Sequence, residues 1–362
     1  MHRKVIIVAV FALLVIPLWM VGEWRGLGRL FFEFPPQTRY VQHAPFSIPV
    51  FGLFTFLFLF SLFVIARPRW FGFKAVSKPD PPVARHRLMP VRGWIGLVLI
   101  AICWTLAWGR FDGVPPWIFE NTFFPLWLGY ILLMDGFTLL RSGDSLLSRD
   151  PVRFVMLFPA SAIAWWYFEF VNRFVQNWRY AGVADYSAPH YIIMATISFS
   201  TVFPAIFVTH EWLSTFRWFQ TAYRNGPRWP SVGRSVQMAW LTTGILALIA
   251  VARWPVPLFF LVWLAPLAVL APGLAMAGVV TPFKDLQRGD YSRLFTLAVA
   301  ALICGFFWEL WNLHSLPKWG YAIPYVQALH LFEMPLPGYA GYLPFGPICW
   351  CMWRGMDALF KK

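Results

Sequence analysis

Residues 150–172 read DPVRFVMLFPASAIAWWYFEFVN and residues 290–312 read DYSRLFTLAVAALICGFFWELWN. At an offset of 140 they share Asp150/Asp290, Arg153/Arg293, Leu157/Leu297, Ala160/Ala300, Ile163/Ile303, Glu169/Glu309 and Asn172/Asn312. Four of these pairs are polar, so shared hydrophobicity alone does not produce them. Further on, Trp178-Arg179-Tyr180-Ala181 aligns with Trp319-Gly320-Tyr321-Ala322 after a slip of one residue, and Pro204 and Pro344 again stand 140 apart. Self-similarity at a fixed offset reads as a duplicated structural unit.

Each copy is too apolar for water. The chain has 59% hydrophobic and only 13% charged residues, against roughly 25% charged in a soluble domain, and its mean hydropathy is +0.58. Trp and Phe number 22 and 37, many of them where apolar runs end, as expected of rings anchored at the headgroup level. A hydrocarbon core of about 30 Å needs roughly 20 apolar residues per helix. Ten stretches qualify: 4–22, 46–66, 93–111, 121–140, 152–172, 188–213, 235–252, 255–280, 291–312 and 337–360. The fold expected is an all-α integral membrane protein of about ten transmembrane helices, with an eight-helix version as the main alternative.

With both termini cytoplasmic, alternate loops divide the 30 Lys and Arg residues into 22 inside and 8 outside, the bias that sets orientation in a bacterial inner membrane. The expected organisation is two N-terminal helices (1–66), a basic cytoplasmic linker (67–92), and four-helix units at 93–232 and 233–362. An even number of helices per unit makes the tandem repeat parallel, which places like elements on the same, outer side. Arg3 and Lys4 before the first apolar run could suggest a signal peptide, but no A-x-A-like site follows.

The net charge of +14 is dealt out between apolar runs and is not gathered on one face, so no nucleic-acid partner is expected. Cys103, Cys304, Cys349 and Cys351 lie inside apolar stretches and read as small buried residues. No nucleotide, haem or iron–sulfur signature assigns a cofactor. No metal is expected either, because His190, His314, His330 and Glu333 have no ligand spacing.

Glu169 and Asn172, like Glu309 and Asn312, are spaced i, i+3 and share one helix face near the outer boundary. Intramembrane acids are functional candidates by default, which makes Glu169 and Glu309 the candidate catalytic acid and base. Asn172, Asn312, Trp166, Trp178, Tyr180, Trp308, Trp319 and Tyr321 are the candidate substrate-binding residues. The Asp-x-x-Arg pair opening each stretch reads as a helix cap with a local ion pair. Asp135 reads as a helix-to-helix hydrogen bond or a step on a proton path, and His210-Glu211 as interfacial. The Pro- and Gly-rich segment 333–346 (EMPLPGYAGYLPFG) is a candidate roof over a pocket, since irregular backbone at membrane depth must be covered or line a cavity.

A helix-borne Glu followed by a Trp-x-Tyr element, present twice, resembles the small multi-pass lycopene-cyclase-type domains of carotenoid synthesis. The resemblance covers about a third of the chain and implies that Glu169 and Glu309 protonate an isoprenoid double bond. Asn172 and Asn312 stand where the family has a small residue, and Pro204 is followed by Ala205 and Ile206 in place of paired acids. The chain as a whole resembles bacterial multi-pass membrane proteins. The leading functional expectation is an enzyme acting on an isoprenoid or lipid. The alternatives are a transporter or channel with an outer polar vestibule, and a non-catalytic subunit with a membrane-protein partner.

Overall fold

The computed structural model describes residues 2–74, 76, 88–109 and 111–361, so the middle of the basic linker lies outside the described residues. The chain begins with α1 (His2–Trp24), α2 (Ile48–Ala66), α3 (Val91–Gly109), the short α4 (Pro116–Glu120), α5 (Phe123–Ser142) and the short α6 (Leu146–Arg149). There follow α7 (Pro151–Val175), strand β1 (Trp178–Ala181), α8 (Ala188–Phe199), α9 (Val202–Ser214) and the short α10 (Arg217–Thr221). The remainder comprises α11 (Arg234–Arg253), α12 (Leu261–Met276), α13 (Ser292–Asn312), strands β2 (Lys318–Tyr321), β3 (His330–Leu331) and β4 (Met334–Pro335), and α14 (Tyr342–Phe360).

Among the described residues, eight segments are long and apolar enough to cross a membrane, α8 and α9 counting together as Ala188–Ser214. The other two expected spans are helical but fall short of that standard. The stretch 255–280 is helical from Leu261 for only 16 residues, because Pro255 and Pro257 disfavour helix in the residues before them and residues 255–260 form turns. The stretch 337–360 becomes α-helical at Tyr342, after a 3-10 turn over Leu336–Gly341. The helix at 188–213 is broken at Ser200 and Thr201.

The core is a bundle in which α13 packs on α14 and α9, α5 and α7 pack on α9, and α12 and α7 pack on α14. Helix α1 inserts against α11 and α12 and buries Ile7, Val10, Leu14 and Leu18. Helix α2 stands apart: Phe58 is its one buried residue, and its main neighbour is the turn Leu336–Gly341.

Without a hydrophobic drive between helices in lipid, close approach depends on small residues. A Cβ on Gly96 of α3 would lie 2.5 Å from the Gly129 carbonyl oxygen of α5, and one on Gly129 would lie 2.8 Å from the Gly96 carbonyl oxygen. The α11–α12 pair closes in the same way at Gly244, against Ala268 and Val269.

The opposite end of the bundle from β1 and β2 is held by ion pairs. Asp135, buried in α5, meets Arg92 at 3.1 Å and accepts hydrogen bonds from the Ser145 hydroxyl and the Leu147 amide. Asp150 caps α7 by accepting from the Arg153 amide. The expected partner differs in the second stretch: Arg293 pairs with Asp285 at 3.1 Å, while Asp290 accepts from the Ser292 amide. Asp285, from the turn Pro282–Arg288, reaches the guanidinium first. Glu211 pairs with Arg149, and all four cysteines are buried and free.

Gly129→Leu is expected to force α3 and α5 apart, at a cost of about 1–3 kcal/mol. A lowered thermal midpoint in detergent, with Gly129→Ala intermediate, is the corresponding readout.

Candidate functional site

Two short strands carry four of the six sequence-selected aromatic residues and pair with each other. Strand β1 runs antiparallel to β2, with Trp178 opposite Tyr321, Arg179 opposite Gly320, Tyr180 opposite Trp319 and Ala181 opposite Lys318. The ladder is centred on Arg179 and Gly320, so each Trp faces the other strand's Tyr.

Each strand is tied to the helix before it by an asparagine. The Asn172 amide donates to the Trp178 carbonyl oxygen at 2.9 Å and accepts from the Trp178 amide at 3.4 Å. Asn312 does the same for Trp319, at 2.7 and 2.8 Å. This reciprocal pair turns the chain at the end of α7 and again at the end of α13, satisfying backbone groups that lipid leaves unpaired.

The asparagine turn delivers the ring donors to the carboxylate one helical turn earlier. Glu169 Oε1 accepts from Trp178 Nε1 at 2.9 Å, the Tyr180 hydroxyl at 2.6 Å and Trp165 Nε1 at 3.2 Å. Glu309 Oε1 accepts from the Tyr321 hydroxyl at 2.6 Å, the Tyr342 hydroxyl at 2.8 Å and Trp319 Nε1 at 3.4 Å. Glu309 is fully buried, and its Oε2 has no hydrogen-bond partner among the described residues.

The third donor differs for a steric reason. Trp165 lies four residues before Glu169 on the same helix face, while the corresponding position before Glu309 is Gly305. A Cβ on Gly305 would come within 2.4 Å of the Tyr342 ring. The missing side chain therefore makes room for Tyr342 of α14 to reach Glu309.

Tyr180 and Tyr321 stay protonated at neutral pH. Burial first, and the adjacent Glu169 or Glu309 carboxylate second, push each hydroxyl well above its ordinary value of 10. Both remain proton donors throughout the neutral range.

Beneath the ribbon lies a cavity of about 410 Å³, lined among others by Trp165, Trp178, Tyr180, Trp319, Tyr321 and Tyr342, within the range of small-molecule sites. The segment 333–346 supplies Met334, Pro337, Gly338 and Tyr342 to its wall. Helices α2, α8 and α12 complete it with Leu57, Met194 and Leu264. Leu57 and Leu264 are also 45% and 46% exposed, so the wall there continues onto the lipid-facing surface. The carboxylates do not line this cavity; their donors do.

Of the residues selected from sequence, Trp178, Tyr180, Trp319 and Tyr321 join the two carboxylates and both asparagines in this arrangement. Trp308 lines the cavity and packs on the Tyr342 ring. Trp166 turns elsewhere, donating to the Thr196 hydroxyl at 3.0 Å and packing edge-on to Phe34. Sequence reading passed over Trp165 and Tyr342. Trp165 stands i, i+4 to Glu169, but Trp166 at i, i+3 shares that helix face equally, and nothing local marks Tyr342, which lies 33 residues from Glu309.

Among the described residues no group of three or more His, Cys, Asp or Glu is placed to hold a metal ion. His190 stacks on Tyr186, His314 packs edge-on to Trp108, and His330 bonds Gln327. Comparison of the chain with protein-family models, curated proteins and solved structures found no match.

Asn312→Ala is expected to cost about 1–3 kcal/mol, because it strands the buried amide and carbonyl of Trp319. Thermal unfolding in detergent should show that loss, with Asn172→Ala behaving alike. Asn312→Asp, which keeps the acceptor, should fall between Asn312→Ala and the native protein.

Proposed function

We propose that the protein is an integral membrane enzyme that binds an isoprenoid or lipid chain in the cavity under the β1–β2 ribbon and moves protons through Glu–Tyr pairs. The observation that carries this reading is that cavity-lining tyrosines donate to carboxylates buried behind them. The chain resembles lycopene-cyclase-type domains in the same two elements, and acid/base work on an isoprenoid is what that resemblance implies.

In the proposed chemistry, the groups that touch substrate are the tyrosine hydroxyls, with Glu169 and Glu309 acting through them. On the donor side, Tyr180 gives its proton to the substrate as Glu169, in its acid form, returns one to the phenol oxygen. On the acceptor side, Tyr321 or Tyr342 takes a proton from the substrate while passing its own to the Glu309 carboxylate. The surrounding indoles offer π faces to a developing cation. Asp135, on which an inward transport path would depend, is committed to Arg92, Ser145 and the Leu147 amide, which favours the enzyme reading over a transporter.

The tandem four-helix repeat belongs to the same proposal. It is supported by matched packing: α3 with α5 and α11 with α12, α7 with α9 and α13 with α14, α5 with α9 and α12 with α14, α9 with α13 and α14 with α7. The ribbon register is the one a local two-fold axis between the units requires. We place the cavity on the outer side of a bacterial inner membrane, with both termini cytoplasmic, on the strength of the uneven distribution of Lys and Arg.

The reading predicts that the protein, purified in mild detergent and extracted with organic solvent, carries an isoprenoid or lipid in near-stoichiometric amount by mass spectrometry. Tyr180→Phe and Tyr321→Phe should retain that molecule, while Glu169→Gln and Glu309→Gln should abolish its turnover. Full turnover in both glutamine variants would remove the acid/base role.

A further inference from the structure

The basic residues at the ribbon end of the bundle are unevenly placed. The sequence alternation leaves eight Lys and Arg in the loops of that end, and five of them are Arg25, Arg29, Arg39, Arg173 and Arg179. The rule that concentrates cations in cytoplasmic loops gives no reason for this grouping.

Gln176 builds it. This residue follows α7 with a positive φ of 50°. Its side chain accepts from the Tyr40 and Val41 amides at 3.0 Å each and donates to the Thr38 carbonyl at 2.7 Å. The segment around residues 38–41 is thereby strapped across the end of α7, which brings Arg39 beside Arg173 and Arg179 at a small crevice. Arg173 donates to the Glu33 carbonyl oxygen at 2.7 Å and sits 5.1 Å from the Phe34 ring centroid. Arg39 and Arg179 are exposed, and neither makes a hydrogen bond or ion pair among the described residues.

The local negative charge does not balance these three cations. Glu33 Oε1 already accepts from the Gln37 amide, the Thr38 amide and the Thr38 hydroxyl. Glu169 reaches the same crevice with Oε1 taken by its own ring donors, and two carboxylates against three guanidinium groups leave the crevice net positive. Partial burial at the crevice, then the Arg179 charge and more weakly that of Arg173, press the Arg39 guanidinium below its ordinary value, against the pull of Glu33. Planar guanidinium groups with free N–H donors suit the oxygens of a phosphate, which they can bind in bidentate fashion.

We infer that Arg39, Arg173 and Arg179 form a binding site for a phosphate-bearing anion at the ribbon end of the protein, separate from the cavity beneath. The anion comes either from an acidic phospholipid headgroup in the adjacent leaflet or from soluble phosphate. The shared chemistry is a tetrahedral oxyanion held between the strap and the end of α7.

The test uses the full chain in phosphatidylcholine nanodiscs, with and without phosphatidylglycerol, together with the Arg39→Gln/Arg179→Gln double variant. That variant leaves Arg173 and its bond to Glu33 in place, and an unchanged near-ultraviolet circular dichroism spectrum would verify its fold. The expected result is phosphatidylglycerol retained above its bulk fraction in native mass spectra and reduced roughly tenfold or more in the double variant. Arg39→Lys/Arg179→Lys should keep part of the enrichment, and Arg69→Gln, at an exposed arginine elsewhere, should keep all of it. Inorganic phosphate titrated into the phosphatidylcholine discs separates the two sources: saturable heat that the double variant loses identifies soluble phosphate, and enrichment without heat identifies the lipid. Equal phosphatidylglycerol retention and equal heat in the native protein and the double variant, or neither signal in the native protein, would overturn the inference.

Discussion

Two carboxylates inside a membrane protein must find their hydrogen-bond donors within the protein, and here that constraint organises one whole end of the bundle. Burying an acid away from water is costly unless it is hydrogen-bonded. Glu169 and Glu309 meet the requirement by recruiting indole and phenol groups from a strand lying just beyond their own helix. The strand must then be held at a fixed height above the helix, which is what Asn172 and Asn312 do through paired bonds to one residue's backbone. Antiparallel pairing of the two strands follows, because each has few other partners for its backbone groups.

The same constraint sets the character of the cavity. Rings that satisfy a carboxylate on one side present their faces and edges on the other, so the wall is aromatic, and Tyr180, Tyr321 and Tyr342 both line it and bond the carboxylates behind it. The two carboxylates are not equivalent within it. Glu169 draws all its donors from its own helix and strand, whereas Glu309 also draws on α14 through Tyr342, at the position Gly305 leaves open. Glu309 therefore links three elements and is the more deeply enclosed of the pair.

Much of this was legible in the amino-acid order because the informative residues are polar ones in an apolar background. Glu169, Asn172, Trp178 and Tyr180 stand out against their surroundings, and their counterparts near residue 309 repeat the pattern. The membrane class and helix positions follow from length and hydropathy, although Pro255 and Pro257 shorten α12 and the turn Leu336–Gly341 delays α14. Sequence could not select Trp165 over Trp166, since both lie within one turn of Glu169 and only packing sends one to the carboxylate and the other to Thr196. Nor could it find Tyr342 or the Arg39 strap, which depend on contacts between segments remote in the chain. The middle of the basic linker falls outside the described residues.

The central claim is that the two carboxylates act on one shared ribbon, so that disturbing one is felt by the other's strand. Amide hydrogen exchange of Glu309→Gln in detergent, resolved to the ribbon residues, tests it most directly. The account predicts that protection falls across residues 178–181 as well as 318–321. Loss confined to 318–321, with 178–181 as protected as in the native protein, would contradict it.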